Sequence, residues 1–188
     1  TKAAMAMQEE AVRLNERLLA RKWPTLAIGV GVNTGQMRVG DMGSKIRRAY
    51  TVMGDAVNLG SRLEGITKTY GVGVIVGPQT QAAVPGMLFQ ELDAVKVKGK
   101  NEPVSIYAPL GERDKLKSDD FKSFELWTEM LKAFRAQQWL QARDMLKALE
   151  NTVVMNPVLR ELYESRLDYF EANPPPQDWN GVTQFDSK

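Results

Sequence analysis

The chain of 188 residues contains no cysteine and no histidine. The lack of cysteine excludes disulfides, thiolate nucleophiles and Cys-based zinc sites. The lack of histidine excludes imidazole metal ligands and every Ser-His or Cys-His mechanism. Any metal would be held by oxygen ligands, which favours magnesium or manganese. A dominant charge is also lacking, since 25 Lys and Arg stand against 23 Asp and Glu, a formal net charge of +2. Lys96, Lys98 and Lys100 are the densest basic stretch, and they alternate along a strand. So small an excess does not suggest nucleic-acid binding. No apolar run approaches the ~20 residues of a membrane span and no secretory signal is present, so the chain reads as soluble.

What is present is the composition of a globular protein, with 43% hydrophobic and 26% charged residues. A chain of this length can bury a core without staples, as one domain plus an extension or as two small units. Ala4, Met7, Ala11, Leu14 and Leu18 recur at helical spacing and predict a helix over residues 3 to 21, ended by Trp23-Pro24. Leu26 to Val32 reads as a strand. Gly35 turns the chain into a second strand at Gln36 to Val39, Asp41 to Ser44 reads as a turn, and Arg47 to Val52 as the return strand. A helix over Asp55 to Tyr70 follows, then a strand at Val72 to Val76 and a short helix opened by Pro78. Strands at Leu88 to Val97 and Val104 to Ala108 close the unit. Alternating strands and helices indicate an α/β or α+β sandwich. Gly29, Gly31 and Gly35 do not have the spacing of a dinucleotide-binding loop, and a hairpin follows them instead of a helix.

Residues 50 to 64 are the most informative stretch. A strand end runs into a Gly turn and then a helix whose first residue, Asp55, can cap it. Leu59, Leu63, Ile66 and Tyr70 mark the buried face. Asn58 and Arg62 stand four apart and so share one face. An amide beside a guanidinium near a helix start suits a phosphorylated ligand. Surface helices often carry such a pair, so the spacing alone leaves an ordinary surface helix open.

The chain resembles the class III nucleotidyl cyclases, the adenylate and guanylate cyclase family. The resemblance rests on residues 28 to 35 (IGVGVNTG), 39 to 44 (VGDMGS), 50 to 64 (YTVMGDAVNLGSRLE), 67 to 71 (TKTYG) and 97 to 100 (VKGK). These five blocks stand in the family's order over about residues 1 to 110. The resemblance implies a ferredoxin-like or palm-like sheet with flanking helices. It implies conversion of ATP into 3′,5′-cyclic AMP and pyrophosphate in signal transduction, by attack of the ribose 3′-oxygen on the α-phosphate with two metal ions. Asn58 matches the ribose-orienting Asn and Arg62 the Arg that stabilises the transition state. Thr51 matches a position that helps read the purine, and Lys98 the Lys that contacts the triphosphate. Lys100 reads as a solvated strand lysine. A hydroxyl both donates and accepts, so Thr51 leaves guanylate cyclase open as an alternative. The family's sites form between two head-to-tail copies.

The family's metal-binding Asp pair belongs upstream of the helix that opens this chain. Magnesium or manganese is therefore expected to be held by residues outside it, with Asp55 left to capping and Asp41 to a turn. The expectation is a C-terminal part of the catalytic domain over 1–111, which lacks the metal-binding half and is inactive alone, then a linker over 112–120. A helical extension over 121–173 resembles a tetratricopeptide hairpin, and a Pro-rich tail covers 174–188. In the extension Phe124, Trp127, Leu131 and Phe134 line one helix, Trp139, Ala142, Leu146 and Leu149 a second. Asn156-Pro157 opens a third that Asn173 and three prolines stop. One repeat builds no solenoid, so these aromatics are expected to pack together or on the sheet. The tail is expected to be extended or disordered unless Trp179 anchors it. The ending from Pro174 to Val182 resembles bacterial cyclases with an extracytoplasmic sensor, which implies a cytoplasmic part of an inner-membrane parent. The rival readings are a non-catalytic cyclase-like domain and an interaction module that docks a protein partner on the helical extension.

Overall fold

The structure is a computed structural model that describes residues 1–43, 48–97 and 102–185. Helix α1 (Lys2–Ala20) opens the chain, followed by strands β1 (Val30–Val32), β2 (Arg38–Gly43) and β3 (Arg48–Met53). Helix α2 (Asp55–Gly65) runs into a 3-10 turn at Thr67–Tyr70. Strand β4 (Val74–Val76), helix α3 (Pro78–Ala82) and strands β5 (Met87–Val97) and β6 (Val104–Glu112) come next. Helices α4 (Ser118–Arg135), α5 (Trp139–Ala148) and α6 (Pro157–Ala172) and strand β7 (Thr183–Phe185) end it.

Five strands form one sheet in the order β1-β4-β6-β5-β7, and β2 and β3 form a separate hairpin. β1 lies parallel to β4 and β7 parallel to β5, while the central pairs are antiparallel. Side chains alternate across a strand, so one strand serves two layers. Val74 and Val76 join Ala4 of α1, Met87 and Phe89 on one face. Ile75 joins Leu59 and Leu63 of α2, Leu92, Val95, Ile106 and the C-terminal helices on the other.

The mixed sheet with flanking helices is the α/β architecture the sequence predicts, with local differences. Met7 is 53% exposed. Gln8 turns inward in its place and donates to the carbonyls of Ile28 and Gly73, at 3.0 and 2.9 Å. Those groups lie where β1 and β4 begin, and backbone carbonyls there need a donor, which a thioether cannot supply. Residues 26 to 29 are not strand, since Leu26 exchanges two 2.8 Å hydrogen bonds with the Asn15 side chain instead of a neighbouring strand. Asp41 to Gly43 continue β2, where a turn was expected. Ser118 to Asp120, assigned to the linker from sequence, form the first turn of α4, where the Asp120 carboxylate accepts from the Lys117 N–H at 2.8 Å.

Strand β5 carries the most consequential irregularity. Its pairing with β6 slips between Glu91 and Asp93, so Leu92 has no opposite residue. A bulge lets two consecutive residues face the same side. Leu92 and Asp93 are therefore both buried toward the C-terminal helices, at 0% and 2% exposure.

Candidate functional site

Helix α2 is built to bury one stripe and present the next. Leu59 and Leu63 are buried, while Asn58 and Arg62, each one residue earlier, lie on the neighbouring stripe. Asn58 is exposed and Arg62 half-buried, one helical turn apart. The helix is seated on β1 backbone against backbone. A Cβ on Gly31 would fall 2.1 Å from the Gly60 carbonyl oxygen and 2.5 Å from the Glu64 nitrogen, so only glycine allows this approach.

The N-terminal end differs from the sequence expectation. Gly54, not Asp55, stands at the N-cap, with φ at 149°, a left-handed value that favours glycine. Asp55 is the first helical residue, where a carboxylate still complements the helix dipole. The capping assignment for Asp55 is therefore corrected, because the chain turns through Gly54 and Asp55 already has helical geometry. Asn33 holds this end from the side, its amide donating to the Ala56 carbonyl at 2.9 Å. Nothing in the pattern around Asn33 singled it out in the sequence; its neighbours in the IGVGVNTG block were the only signal.

Thr51 lies half-buried on β3, opposite Gly40, on the strand that feeds α2. Asn58 and Arg62 thus share a helix face, and Thr51 sits on the adjoining strand. Lys98 and Lys100 lie outside the described residues. An open cleft of about 530 Å³ at the base of the hairpin is lined by Gln36, Met37, Arg38, Met53 and Gly54, and by none of the expected site residues. Among the described residues no group of three or more His, Cys, Asp or Glu could hold a metal ion. The described residues therefore do not fit the magnesium or manganese that a cyclase would use. What the face can do is hydrogen-bond a sugar or base through Asn58 and Thr51 and place a permanent cation, Arg62, against an anion.

Comparison with known proteins places these residues in a family context. The model of the adenylate and guanylate cyclase catalytic domain matches residues 2–108. Adenylate cyclase 1 of Rhizobium meliloti (strain 1021) is 36% identical over 111 residues, which is 58% of this chain and 17% of that protein. The crystal structure of the adenylyl cyclase CyaB from P. aeruginosa superposes with a TM-score of 0.52 at 29% identity, covering 60% of this chain and 58% of that one. The guanylyl cyclase Cya2 superposes with a TM-score of 0.50 at 30% identity, covering 60% and 56%. The chain thus spans little more than half of the solved domains and about a sixth of the Rhizobium relative.

Proposed function

The chain belongs to the adenylate and guanylate cyclase catalytic-domain family, and from that premise we propose that α2 is the ribose- and phosphate-contacting helix of an adenylate cyclase. The reaction is attack of the ATP ribose 3′-oxygen on the α-phosphorus. The O3′–P bond forms as the bond to pyrophosphate breaks, and the 3′-hydroxyl proton passes to water. Asn58 orients the ribose. Arg62 neutralises the charge that gathers on the phosphate in the transition state, the kind of fixed donor that lowers such a barrier. Thr51 contacts the purine, and Lys98 the triphosphate.

The observation that carries this reading is the accessible Asn58–Arg62 stripe on a helix locked to β1 by backbone contact. The described residues supply no acidic cluster for a metal ion, so the reading rests on binding and charge stabilisation by this chain's own side chains. The hairpin β2–β3 leaves Tyr50 76%, Val39 52% and Met53 53% exposed, which supports a second copy covering it in the working enzyme. A cytoplasmic setting under a membrane-anchored parent remains a proposal from the C-terminal resemblance. No described helix is long and apolar enough to cross a membrane.

Likeness to Cya2 is as close as likeness to CyaB, and this observation favours one second reading, GTP as substrate. The test is turnover by the intact cyclase offered ATP and GTP separately. Cyclic AMP from ATP supports the first reading, and cyclic GMP from GTP the second. In the same enzyme Arg62→Ala is expected to lower kcat roughly 100- to 1,000-fold, with little change in KM and an unchanged circular dichroism spectrum. Wild-type turnover in that variant would overturn the role of Arg62.

A further inference from the structure

The 3-10 turn Thr67–Tyr70 continues α2 directly, and its grip comes from far along the chain. The Tyr70 ring is fully buried, and its hydroxyl donates to Asp93 Oδ2 at 2.8 Å. The same oxygen accepts from Arg166 Nη1 of α6 and from Thr183 Oγ1 of β7, each at 2.8 Å. Asp93 Oδ1 accepts from the Ala94 N–H at 2.7 Å. The carboxylate is 2% exposed and the Arg166 side chain 14%, so the ion pair lies in the interior. One carboxylate therefore joins the end of the α2 segment, the bulge in β5, helix α6 and the C-terminal strand.

A second link is made at the backbone of the same residue. Asn156 donates through Nδ2 to the Tyr70 carbonyl at 3.1 Å, and its Oδ1 accepts from the Leu159 N–H at 2.9 Å, capping α6. Gly71 has φ at 63°, and a Cβ there would fall 2.4 Å from Asn156 Oδ1 and 2.6 Å from Val158 Cβ. The turn that ends the α2 segment and the start of α6 thus meet without room for a methyl group. Thr67 closes the other side of the turn, donating to the Glu64 carbonyl of α2 at 2.8 Å.

We propose that the C-terminal helices are a positioning device for α2. Asn156 and Arg166 act as positioning residues that set the helix carrying Asn58 and Arg62 through the Thr67–Tyr70 turn. Calling α2 the nucleotide helix rests on the cyclase reading, while the mechanical link does not. A shift of α6 along its axis would move the Asn156 amide off the Tyr70 carbonyl and draw Arg166 from Asp93 together. A partner or a neighbouring segment that moved α6 would then alter the site without touching it.

The test is amide hydrogen exchange on the full 188-residue chain. Asn156→Ser keeps an oxygen to cap α6 but is too short to reach Tyr70. Thr183→Val removes one donor to Asp93 without leaving a charge, and Arg166→Lys keeps the charge as the conservative rescue. Amides of residues 59–65 and 67–71 are expected to exchange about tenfold faster in Asn156→Ser, the loss of about one hydrogen bond. Those of β4 and β6 are expected to hold their wild-type rates, and Arg166→Lys to stay closer to wild type than Arg166→Met. If Arg166→Met does not fold, Asn156→Ser and Thr183→Val decide. Uniform acceleration throughout the chain, or acceleration confined to α6, would overturn the proposal. In the intact cyclase Asn156→Ser is expected to lower kcat at unchanged KM. If Arg62→Ala leaves turnover intact, the cyclase role of α2 fails while the exchange result still decides the coupling.

Discussion

Asp93 shows how much one side chain can organise. It accepts from Tyr70, Arg166 and Thr183 in a site almost closed to water. Burial, then the neighbouring Asp93 carboxylate, pushes the Tyr70 hydroxyl far above its usual range, and burial does the same to Tyr163, so both stay protonated donors. Asp93→Ala strands the Arg166 cation, and removing one partner of a buried pair costs about 3–5 kcal/mol. Urea unfolding monitored by circular dichroism is expected to show that loss. A surface carboxylate behaves differently. Hydrogen bonds from Lys115 and Lys2, each at 2.6 Å, hold Glu112 down at about 2, below its usual 4.5. A lowered carboxylate pKa stabilises the fold above the unfolded value and stops doing so as pH falls through the folded one. The stability difference between the native chain and Glu112→Gln is therefore expected to shrink as pH drops from 4.5 toward 2, measured as melting temperature against pH. Among the site residues, the Asn58–Arg62 pair was legible because i,i+4 spacing is a local rule. The backbone approach of Gly31 to Gly60 was not, because no pattern reports which helix will lie on which strand.

At the scale of elements, α6 was the most legible. Asn156 caps it, Pro157 takes its first position and Asn173 ends it, as the sequence predicts. The tail was less so. Trp179 packs within 4.6 Å of the Phe170 centroid and also meets Phe134 and Trp139. This anchor lets residues 183 to 185 pair as a parallel strand on β5. Trp179→Ala is expected to cost roughly 1–3 kcal/mol and to release the amides of β7 to rapid exchange. The aromatic residues of the three helices pack on one another and on the sheet, as the sequence reading held: Trp127 and Phe134 both meet Tyr163, at 5.2 and 5.3 Å between centroids. Four consecutive β5 residues are each held from the C-terminal segment. Gln90 donates to the Val154 carbonyl, the Glu91 carbonyl accepts from Trp127, the Leu92 carbonyl accepts from Tyr163, and Asp93 accepts from Arg166.

At the scale of the whole molecule, one apolar cluster runs from Leu59 and Leu63 of α2 through Ile75, Leu92 and Ile106 of the sheet to Leu146, Leu159 and Leu167 of the helices. A continuous core predicts one cooperative transition, so far-UV circular dichroism and tryptophan fluorescence are expected to give coincident urea curves. Two separated transitions would mean that the sheet and the helices fold as independent units. The sequence alone determined the family and most of the helices and strands, though not all their bounds, because helix periodicity, caps, turn glycines and short motifs are read within a few residues. It also marked Asn58 and Arg62, neighbours on one turn. Only the tertiary structure decided that Leu92 bulges, that Trp179 anchors a seventh strand and that the C-terminal helices clamp the turn behind α2. Arg166 and Asp93 lie 73 positions apart and Asn156 and Tyr70 lie 86 apart. Such pairs carry no local periodicity. They meet only when burial of the shared core brings their backbones together and leaves those polar groups one another, not water, as partners.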